Sequence, residues 1–414
     1  MVDKKDKAIL RKLAEKKAEA ASKAVNKERI EMWRKLNQLE RVKPMLWMNE
    51  IPWHELGIDE DTLECSSPFG REKEIELKME MYQWEHMQLD MVVEDTIYCP
   101  LVIHDSGFGL EIKSHQTMTG GSGPIHSREW EPQIKEESDI EKIKPPVITY
   151  NKEATEHNYN RMVDIFGDIL KVEKRGRTGF GYASWDDLVM WWGVQPALLD
   201  LVMRPEMIKA AMEKLTTAFI SRLDQLEALN LFSLNNTNVR VGTGAYGYTD
   251  ELPARGFDAK HVRPCDMWGM GTAQIFSVVS PEMHKEFSLD YERRIMDRFG
   301  LVYYGCCEPL HNKIDILKEI PNLRKISMSP WIDVEVGAAK IQDKYVFSYK
   351  PSPSIFADDD WKPEVVRKEL RGFLEKTRGC HVEIIMKDIT TVLNQPQRLW
   401  EWSRIADEVT AEFA

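Results

Sequence analysis

The chain has 414 residues, 43% of them hydrophobic, and carries 56 Lys and Arg against 68 Asp and Glu, a net charge of −12. This acidic balance excludes a surface built throughout to bind nucleic acid or anionic lipid. No apolar run approaches the roughly 20 residues of a membrane span, and no apolar core follows the N-terminal lysines as in a secretory signal. We therefore expect a cytoplasmic protein with neither membrane nor nucleic-acid partners.

Six cysteines occur, at positions 65, 99, 265, 306, 307 and 380, without the regular spacing of a disulfide framework. In a large chain without a secretory signal we expect reduced thiols. Metal binding, catalysis and simple burial are then their three uses. Burial is the usual one, because free cysteine is among the most buried residue types.

Residues 4 to 40 are rich in Ala, Lys, Glu and Leu, and their apolar residues recur at helical spacing, as at Leu10 and Leu13 and again at Trp33 and Leu36. This pattern predicts an N-terminal arm of two helices within residues 1–43. Mixed charge runs are usually exposed faces. We therefore expect the arm to be solvated on one side and to pack on the body of the protein or on a second subunit, as in a homodimer.

The next part of the chain, from 44 to 150, combines short β-rich runs with a polar, glycine-rich stretch. "MVVEDTIYCPLVIHD" predicts two short strands, whereas "MTGGSGPIHSREWEPQIKEESD" predicts a loop. We expect this loop to form a flap-like insertion near residues 105–150.

From about residue 158 short apolar runs alternate with helical segments. "SWDDLVMWW" predicts a helix from Trp185 to Trp192 with Ser184 as its N-cap, "LFSLNN" predicts a short strand ending in two asparagines, and at least five strand and helix pairs follow. Such alternation indicates βα units and a parallel sheet. We predict an α/β fold, a (β/α)8 TIM barrel over residues 44–414, with its chemistry at the carboxyl ends of the strands.

Polar and titratable side chains recur where the predicted strands end. In a barrel these positions face one shared cavity. We predict catalytic roles for Asn235, Lys387 and Asp388. Substrate binding is predicted for Asn236, Gln274, Ser329 and Tyr349. The recurrence of such side chains in one unit after another exceeds what solvation requires.

The segment "LVYYGCCEPLHNK" places two thiols and a carboxylate directly after a predicted strand. A following proline keeps them out of a helix interior. Alternation in extended chain turns Cys306 and Glu308 to the cavity and leaves Cys307 packed behind, unless the chain turns there. A thiolate and a carboxylate, completed by His311 or Asp388 and with Cys307 as a further candidate ligand, are suited to a catalytic zinc site. The alternative is that these are ordinary core and loop residues.

Residues 242–247, "GTGAYG", match the string G-x-G-x-x-G. A dinucleotide fingerprint also needs a strand before this string and a helix after it. Here "YTDELPARG" follows, with an early proline. We therefore predict a glycine-rich active-site loop and not a dinucleotide site.

With this βα rhythm and "LVYYGCCEPLHNKIDILKEIPNLRKISMSPWIDVE", residues from about 150 to 414 resemble the uroporphyrinogen decarboxylase superfamily, particularly its corrinoid-linked, zinc-dependent methyltransferases. The resemblance implies a (β/α)8 barrel with its site in the barrel mouth. In those methyltransferases one strand ends in His-x-Cys-Gly, and a gapless match puts Cys306 and Glu308 at the histidine and cysteine positions. A second, distal cysteine of those methyltransferases aligns near Lys387 and Asp388 of this chain. The family motif is therefore replaced here by Cys-x-Glu.

The resemblance implies a methyltransferase that moves a methyl group between a small methylated substrate, an aryl methyl ether or a methylamine, and a separate corrinoid protein. Zinc at the barrel mouth would polarise the heteroatom of the substrate or activate a thiol acceptor. Cobalamin would enter only through the partner, because the cobalt-ligating string D-x-H-x-x-G is absent from the sequence.

Two other functions stay open at this point. The decarboxylases of the superfamily hold the carboxylates of a tetrapyrrole with an arginine-rich N-terminal motif, whereas the comparable stretch "KPMLWMNEIPW" has no arginine. This difference disfavours that substrate. A metal-free, decarboxylase-like lyase using Asp388 and a non-catalytic ligand-binding barrel are the alternatives. A structural role for the cysteines is a third, simpler interpretation.

Overall fold

The computed structural model describes residues 3–117 and 127–414. Its strands are β1 (Met45–Met48), β2 (Thr96–Pro100), β3 (Ile103–Asp105), β4 (Ser114–Thr117), β5 (Ser127–Trp130), β6 (Ile148–Tyr150), β7 (Lys171–Arg175), β8 (Gly181–Tyr182), β9 (Trp268–Gly271), β10 (Leu301–Tyr304), β11 (Leu323–Met328), β12 (Val346–Tyr349) and β13 (His381–Met386). Its helices are α1 (Lys4–Ala21), α2 (Val25–Asn37), α3 (Pro68–His86), α4 (Lys152–Phe166), α5 (Ser184–Trp192), α6 (Val194–Met203), α7 (Pro205–Ala228), α8 (Pro281–His284), α9 (Asp290–Met296), α10 (Ile314–Leu317), α11 (Val334–Ile341), α12 (Pro363–Lys376) and α13 (Gln397–Ala411).

The N-terminal arm consists of α1 and α2. Leu10 on α1 and both Trp33 and Leu36 on α2 are fully buried, and α1 packs against α3 and α4. The indole Nε1 of Trp33 donates a hydrogen bond to the backbone oxygen of Asp90 (2.8 Å). The helical spacing of apolar residues therefore marks the face of the arm that packs on the body of the protein.

The central sheet has seven parallel strands in the order β1-β13-β12-β11-β10-β9-β8. Met45 of β1 pairs with Glu383 of β13, and Tyr303 of β10 pairs with Lys325 of β11. Helices α9 to α12 lie between successive strands along the chain, as parallel strands require, because a tight hairpin cannot join them. This confirms the α/β class with a parallel sheet.

The described strands do not close into a ring, because β8 does not pair with β1 in the part of the chain that the structure describes. On the free edge of β1, the Asp90 carboxylate accepts from the Leu46 amide (2.7 Å), and the Gln83 side chain donates to the Met48 oxygen (2.7 Å). Side chains thus satisfy backbone groups that a neighbouring strand would otherwise pair. The first strand pairs with the last, but the closed (β/α)8 barrel stays a prediction.

The predicted strand "LFSLNN" forms only one parallel bridge, from Phe232 to Arg177. The side chain of Asn235 supplies the further hydrogen bonds. Its Oδ1 accepts from the Trp268 amide (2.9 Å), and its Nδ2 donates to the backbone oxygens of Thr178 (2.7 Å) and Trp268 (2.9 Å). The strand prediction is wrong here because a side chain satisfies neighbouring backbone groups that a regular ladder would pair.

Between β1 and β8 the chain forms three small two-stranded sheets, β2 with β7, β3 with β6 and β4 with β5. The region expected as a flap near 105–150 therefore contains strands as well as loops. Its glycine-rich residues, 118–126, lie outside the described part of the chain. Arg222 on α7 ties this region to the body, since its Nε lies 3.0 Å from Oδ2 of Asp105.

Candidate functional site

The segment after β10 leaves the strand direction at once. Gly305 has a φ of 100°, in the region that favours glycine because a side chain would clash with the backbone. The Glu308 carboxylate then accepts hydrogen bonds from the Cys306 amide (2.8 Å) and from the Thr272 hydroxyl (2.9 Å). Glu308 is buried. It therefore anchors a turn at the end of the strand.

This turn corrects the predicted orientation of the two cysteines. Extended backbone would direct Cys306 to the cavity and pack Cys307 behind it. In the structure Cys307 is exposed and lines a cavity, whereas Cys306 is half-buried and does not line it. Side-chain alternation fails as a guide because these residues are no longer in a strand.

The two thiols interact with each other, since their sulfur atoms lie 3.4 Å apart. The hydrogen bond from Cys306 lowers the pKa of Cys307 to about 7; burial opposes this shift, and the positive charge of Lys387 supports it. The same sulfur contact, together with burial, raises the pKa of Cys306. These opposite shifts of the two pKa values favour ionisation of Cys307 before Cys306.

Lys387 and Asp388 follow β13 and lie beside Glu50, which follows β1. The Nζ of Lys387 is 2.8 Å from Oδ2 of Asp388 and 3.4 Å from Oε2 of Glu50. Burial opposes the lysine charge, but the two carboxylates outweigh it and raise the pKa of Lys387. Burial likewise opposes the charge of Asp388, whose pKa is lowered by hydrogen bonds with Glu50 and Lys387. The structure thus brings both predicted catalytic residues of this strand end together as an ion pair.

The predicted zinc ligands do not form a ligand set. In the ranges 3–117 and 127–414, no three side chains of His, Cys, Asp or Glu lie close enough together to hold a metal ion. Both carboxylate oxygens of Glu308 are engaged in the turn, and Asp388 is paired with Lys387. His311 lies near charged groups of the α11 region. The residues as placed do not fit a zinc ion, and the ammonium of Lys387 already supplies a positive charge near the thiols.

A cavity of about 530 Å³ opens beside Cys307. Its polar lining consists of Asp186, Gln274, Ser277 and Cys307. Its apolar lining consists of Val189, Ile275, Val278, Pro309 and Trp331. Val278 and Trp331 are also strongly exposed, so the cavity has an apolar rim. No lysine or arginine of the described residues lines it.

Asp186 also lines this cavity, although it was not among the site residues predicted from the sequence. Helix α5 begins at Ser184 with Ala183 as its N-cap, which corrects the predicted cap and places Asp186 in the first turn. The Nε2 of Gln274 donates to Oδ2 of Asp186 (3.0 Å). Burial raises the pKa of Asp186; the Gln274 hydrogen bond opposes the shift, and the charge of Glu308 adds to it. The available signal was a pair of acids opening a helix just after a short strand.

Four residues predicted from strand ends lie away from this cavity. The Asn235 side chain bonds neighbouring backbone, and Asn236 Nδ2 donates to a backbone oxygen at 2.7 Å. Tyr349 stacks on Phe373 of α12, with 3.8 Å between ring centroids. Ser329 is fully buried, and its Oγ has no partner among the described residues. Of the predicted substrate-binding residues, Gln274 alone lines the cavity.

A second polar cluster, called the closed interior below, consists of five buried residues between the strands: Tyr303, Lys325, Ser348, Lys350 and Glu383. The Nζ of Lys325 is 2.8 Å from Oε2 of Glu383. The Nζ of Lys350 donates to the Tyr303 hydroxyl (2.7 Å), which lies 2.9 Å from the Ser348 hydroxyl. These groups therefore find most of their hydrogen-bond partners within the protein.

The glycine-rich segment 242–247 packs against the closed interior. A Cβ on Gly244 would lie 2.5 Å from Oε1 of Glu383 and 2.7 Å from Cε2 of Tyr303. The hydroxyl of Thr243 donates to the Tyr303 hydroxyl (3.1 Å). Glycine at 244 thus permits close approach of backbone to buried side chains, and the segment does not line the cavity beside Cys307.

Comparison with known proteins adds evidence on the fold. No helix in the described residues is long and apolar enough to cross a membrane. No family model and no curated protein matches the sequence. The fold is similar to that of a solved structure, a methyltransferase from Methanosarcina mazei, with a TM-score of 0.51 and 11% sequence identity, covering 92% of this chain and 98% of that chain. At this identity the likeness establishes a similar fold.

Proposed function

We propose that this chain is a methyltransferase that moves a methyl group between a small methylated substrate and a partner corrinoid protein. The observation that carries the proposal is the cavity that Cys307 lines together with the hydrogen-bonded pair Asp186 and Gln274. The similarity in fold to a methyltransferase, which covers most of the chain, supports the proposal. The resemblance of the sequence to corrinoid-linked methyltransferases points the same way.

The cavity lining favours a neutral substrate with an apolar part. Most of its lining is apolar, and none of the described lining residues is a lysine or arginine. Burial favours the neutral form of Asp186, so an aryl methyl ether suits the cavity better than a methylammonium ion. The lack of lining cations also disfavours substrates with several carboxylates, and with them the decarboxylase-like alternative.

Methyl transfer from an ether leaves negative charge on the departing oxygen, and a proton donor stabilises that charge. Burial keeps Asp186 protonated to a higher pH than usual. Gln274 binds Oδ2, which leaves Oδ1 to carry the proton and donate it. The electron pair of the broken carbon–oxygen bond stays on the oxygen, and the methyl group passes to the nucleophilic acceptor on the corrinoid partner.

The sequence also predicts zinc, but the predicted ligands do not converge among the described residues. A zinc-dependent reaction makes its own prediction. Protein purified without chelator would then hold about one equivalent of zinc, and both Cys306→Ser and Glu308→Gln would lose it. A zinc content below about a tenth of an equivalent, with no zinc binding on titration, would leave Asp186 as the group that assists departure of the leaving oxygen.

The matched variants Asp186→Asn and Asp187→Asn test the proposal. Asp187 is the next residue, and burial raises its pKa to about 7 against the opposing charge of Arg222, but it does not line the cavity. With 2-methoxyphenol as donor and free cob(I)alamin as acceptor, we expect the wild-type protein to form methylcobalamin. Asp186→Asn should slow this transfer by about 10²–10⁴-fold, and Asp187→Asn by less than about tenfold.

Other outcomes would change the proposal in specific ways. Equal rates in the two variants would contradict a proton donated by Asp186. Faster methyl transfer from trimethylamine than from 2-methoxyphenol would overturn the preference for an ether. Saturable binding of 2-methoxyphenol with no transfer from either donor would favour the non-catalytic ligand-binding alternative.

A further inference from the structure

The pair Cys306 and Cys307 differs from the other thiols. The Sγ atoms of Cys65, Cys99 and Cys380 each lie 3.9 Å from a backbone oxygen. The sulfurs of Cys306 and Cys307 lie 3.4 Å from each other, a contact between thiols that the described residues show nowhere else. They would need to approach by roughly 1.4 Å to reach the bond length of a disulfide, about 2.0 Å.

Access to the two sulfurs is unequal. Cys307 is exposed and faces the open cavity, whereas Cys306 is half-buried beside it. The positive charge of Lys387 acts on both sulfurs. A cation beside an accessible sulfur favours the thiolate, the reactive form. A reagent that enters the cavity therefore meets Cys307 first and leaves Cys306 for a second step.

The two cysteines lie outside the β-sheet. Both residues lie in a bend that follows Gly305 and precedes Pro309. Consecutive Cα atoms are about 3.8 Å apart across a trans peptide, which is less than the roughly 4.4–6.8 Å usual for disulfides. A bond between adjacent cysteines is therefore strained. Strained and exposed disulfides are the ones that reducing thiols break most easily.

We propose that Cys306 and Cys307 are an oxidation site at which a hydroperoxide forms a reversible disulfide between adjacent residues. The Cys307 thiolate attacks a peroxide oxygen, the oxygen–oxygen bond breaks, and the leaving oxygen takes up a proton to form water or an alcohol. The Cys306 thiol then attacks the sulfenic sulfur of Cys307 and releases water. Two thiols are oxidised by two electrons, and the peroxide is reduced by two.

The disulfide changes the cavity as well as the cysteines. It removes the free thiol of Cys307 from the wall that Asp186 also lines. It also pulls on the turn, because the Cys306 amide binds Glu308 (2.8 Å) and the Cys306 oxygen accepts from the Ser327 hydroxyl (2.6 Å). Oxidation therefore switches off any activity that uses this thiol, whether or not that activity is methyl transfer.

Mass spectrometry can read this reaction directly. Trypsin cleaves after Arg298 and after Lys313, so both cysteines are released in one peptide, 299–313, that contains no other cysteine. The full-length protein is treated with hydrogen peroxide, and the remaining thiols are alkylated before digestion. We expect a peptide lighter by two hydrogen atoms and free of alkylation. Treatment with dithiothreitol should restore two alkylatable thiols.

Two variants control the experiment. Cys380 is also half-buried but has no thiol contact among the described residues, so Cys380→Ser should form the same disulfide as the wild-type protein. Cys306→Ser should instead accumulate sulfenic or sulfinic acid at Cys307. An unchanged peptide, sulfinic acid in the wild-type protein, or a disulfide between two molecules would overturn the proposal. The peptide mass does not depend on methyl-transfer activity. A failed disulfide proposal can therefore be distinguished from a failed methyltransferase proposal.

Discussion

The open cavity is lined by residues that follow strands β8 to β11, whereas the closed interior is formed by residues on or next to strands β10 to β13. Both contain titratable side chains, but these side chains have different partners. In the closed interior, Lys325 pairs with Glu383, and Lys350 donates to a buried hydroxyl. In the open cavity, Cys307 and Asp186 face a volume of about 530 Å³. A polar residue near a strand end therefore supports the fold when packed against protein and can act on a ligand when it lines an open space.

Breaking the buried ion pair should have the largest effect on stability. Lys325→Met leaves Glu383 buried without its charged partner, and we expect the free energy of unfolding in urea to fall by about 3–5 kcal/mol. The double variant Lys325→Met/Glu383→Leu removes both charges and should recover most of this loss. A loss below about 1 kcal/mol in the single variant would contradict the role of the pair in the closed interior.

The pH dependence of stability tests the same region through Lys350. Burial lowers its pKa from 10.5 to about 8, and the charge of Glu383 opposes the shift. The unfolded chain then binds more protons than the folded protein between these values, so the free energy of unfolding should rise with pH through this window, by roughly 3 kcal/mol. Lys350→Met should lack this rise in denaturation experiments at both ends of the window. Parallel pH profiles of the two proteins would refute the shift.

Close packing of the glycine-rich segment predicts a smaller effect. A Cβ on Gly244 would lie 2.5 Å from Oε1 of Glu383, and we expect Gly244→Ala to lower the free energy of unfolding by about 1–3 kcal/mol. The matched control is Gly372→Ala on α12, where an added Cβ meets nothing within 4 Å. That change should stabilise the helix by about 0.5–1 kcal/mol. Equal effects of the two substitutions in thermal unfolding would argue against close packing at 244.

The open cavity predicts the smallest effect on stability. Cys307 is exposed, so Cys307→Ala should change the free energy of unfolding by no more than about 0.5 kcal/mol. Urea denaturation under the conditions used for the Lys325 variant makes the two regions comparable. A loss above about 2 kcal/mol would place Cys307 among the packing residues and erase the contrast between the regions.

Much of the fold could be predicted from the sequence, because apolar runs that alternate with helices leave little choice but crossover connections and parallel strands. The edge of the sheet could not be predicted. Asp90 and Gln83 come from a distant part of the chain and bind the free edge of β1. Asn235 likewise bonds neighbouring backbone where a strand was predicted. When a side chain takes the place of a backbone hydrogen-bonding partner, no periodic pattern in the sequence reveals it.

At the site, the sequence by itself determined which residue types follow each strand, including Gln274 after β9 and the paired cysteines after β10. Only the tertiary structure decided which of them face the cavity. The Thr272 hydroxyl, 36 residues away, donates to the carboxylate of Glu308, which also accepts from the Cys306 amide and so turns the chain. Folding also brings Asp186 to Gln274 across a sequence separation of 88 residues. Local composition sets the elements, but the direction of a side chain beyond a strand depends on hydrogen bonds to distant residues.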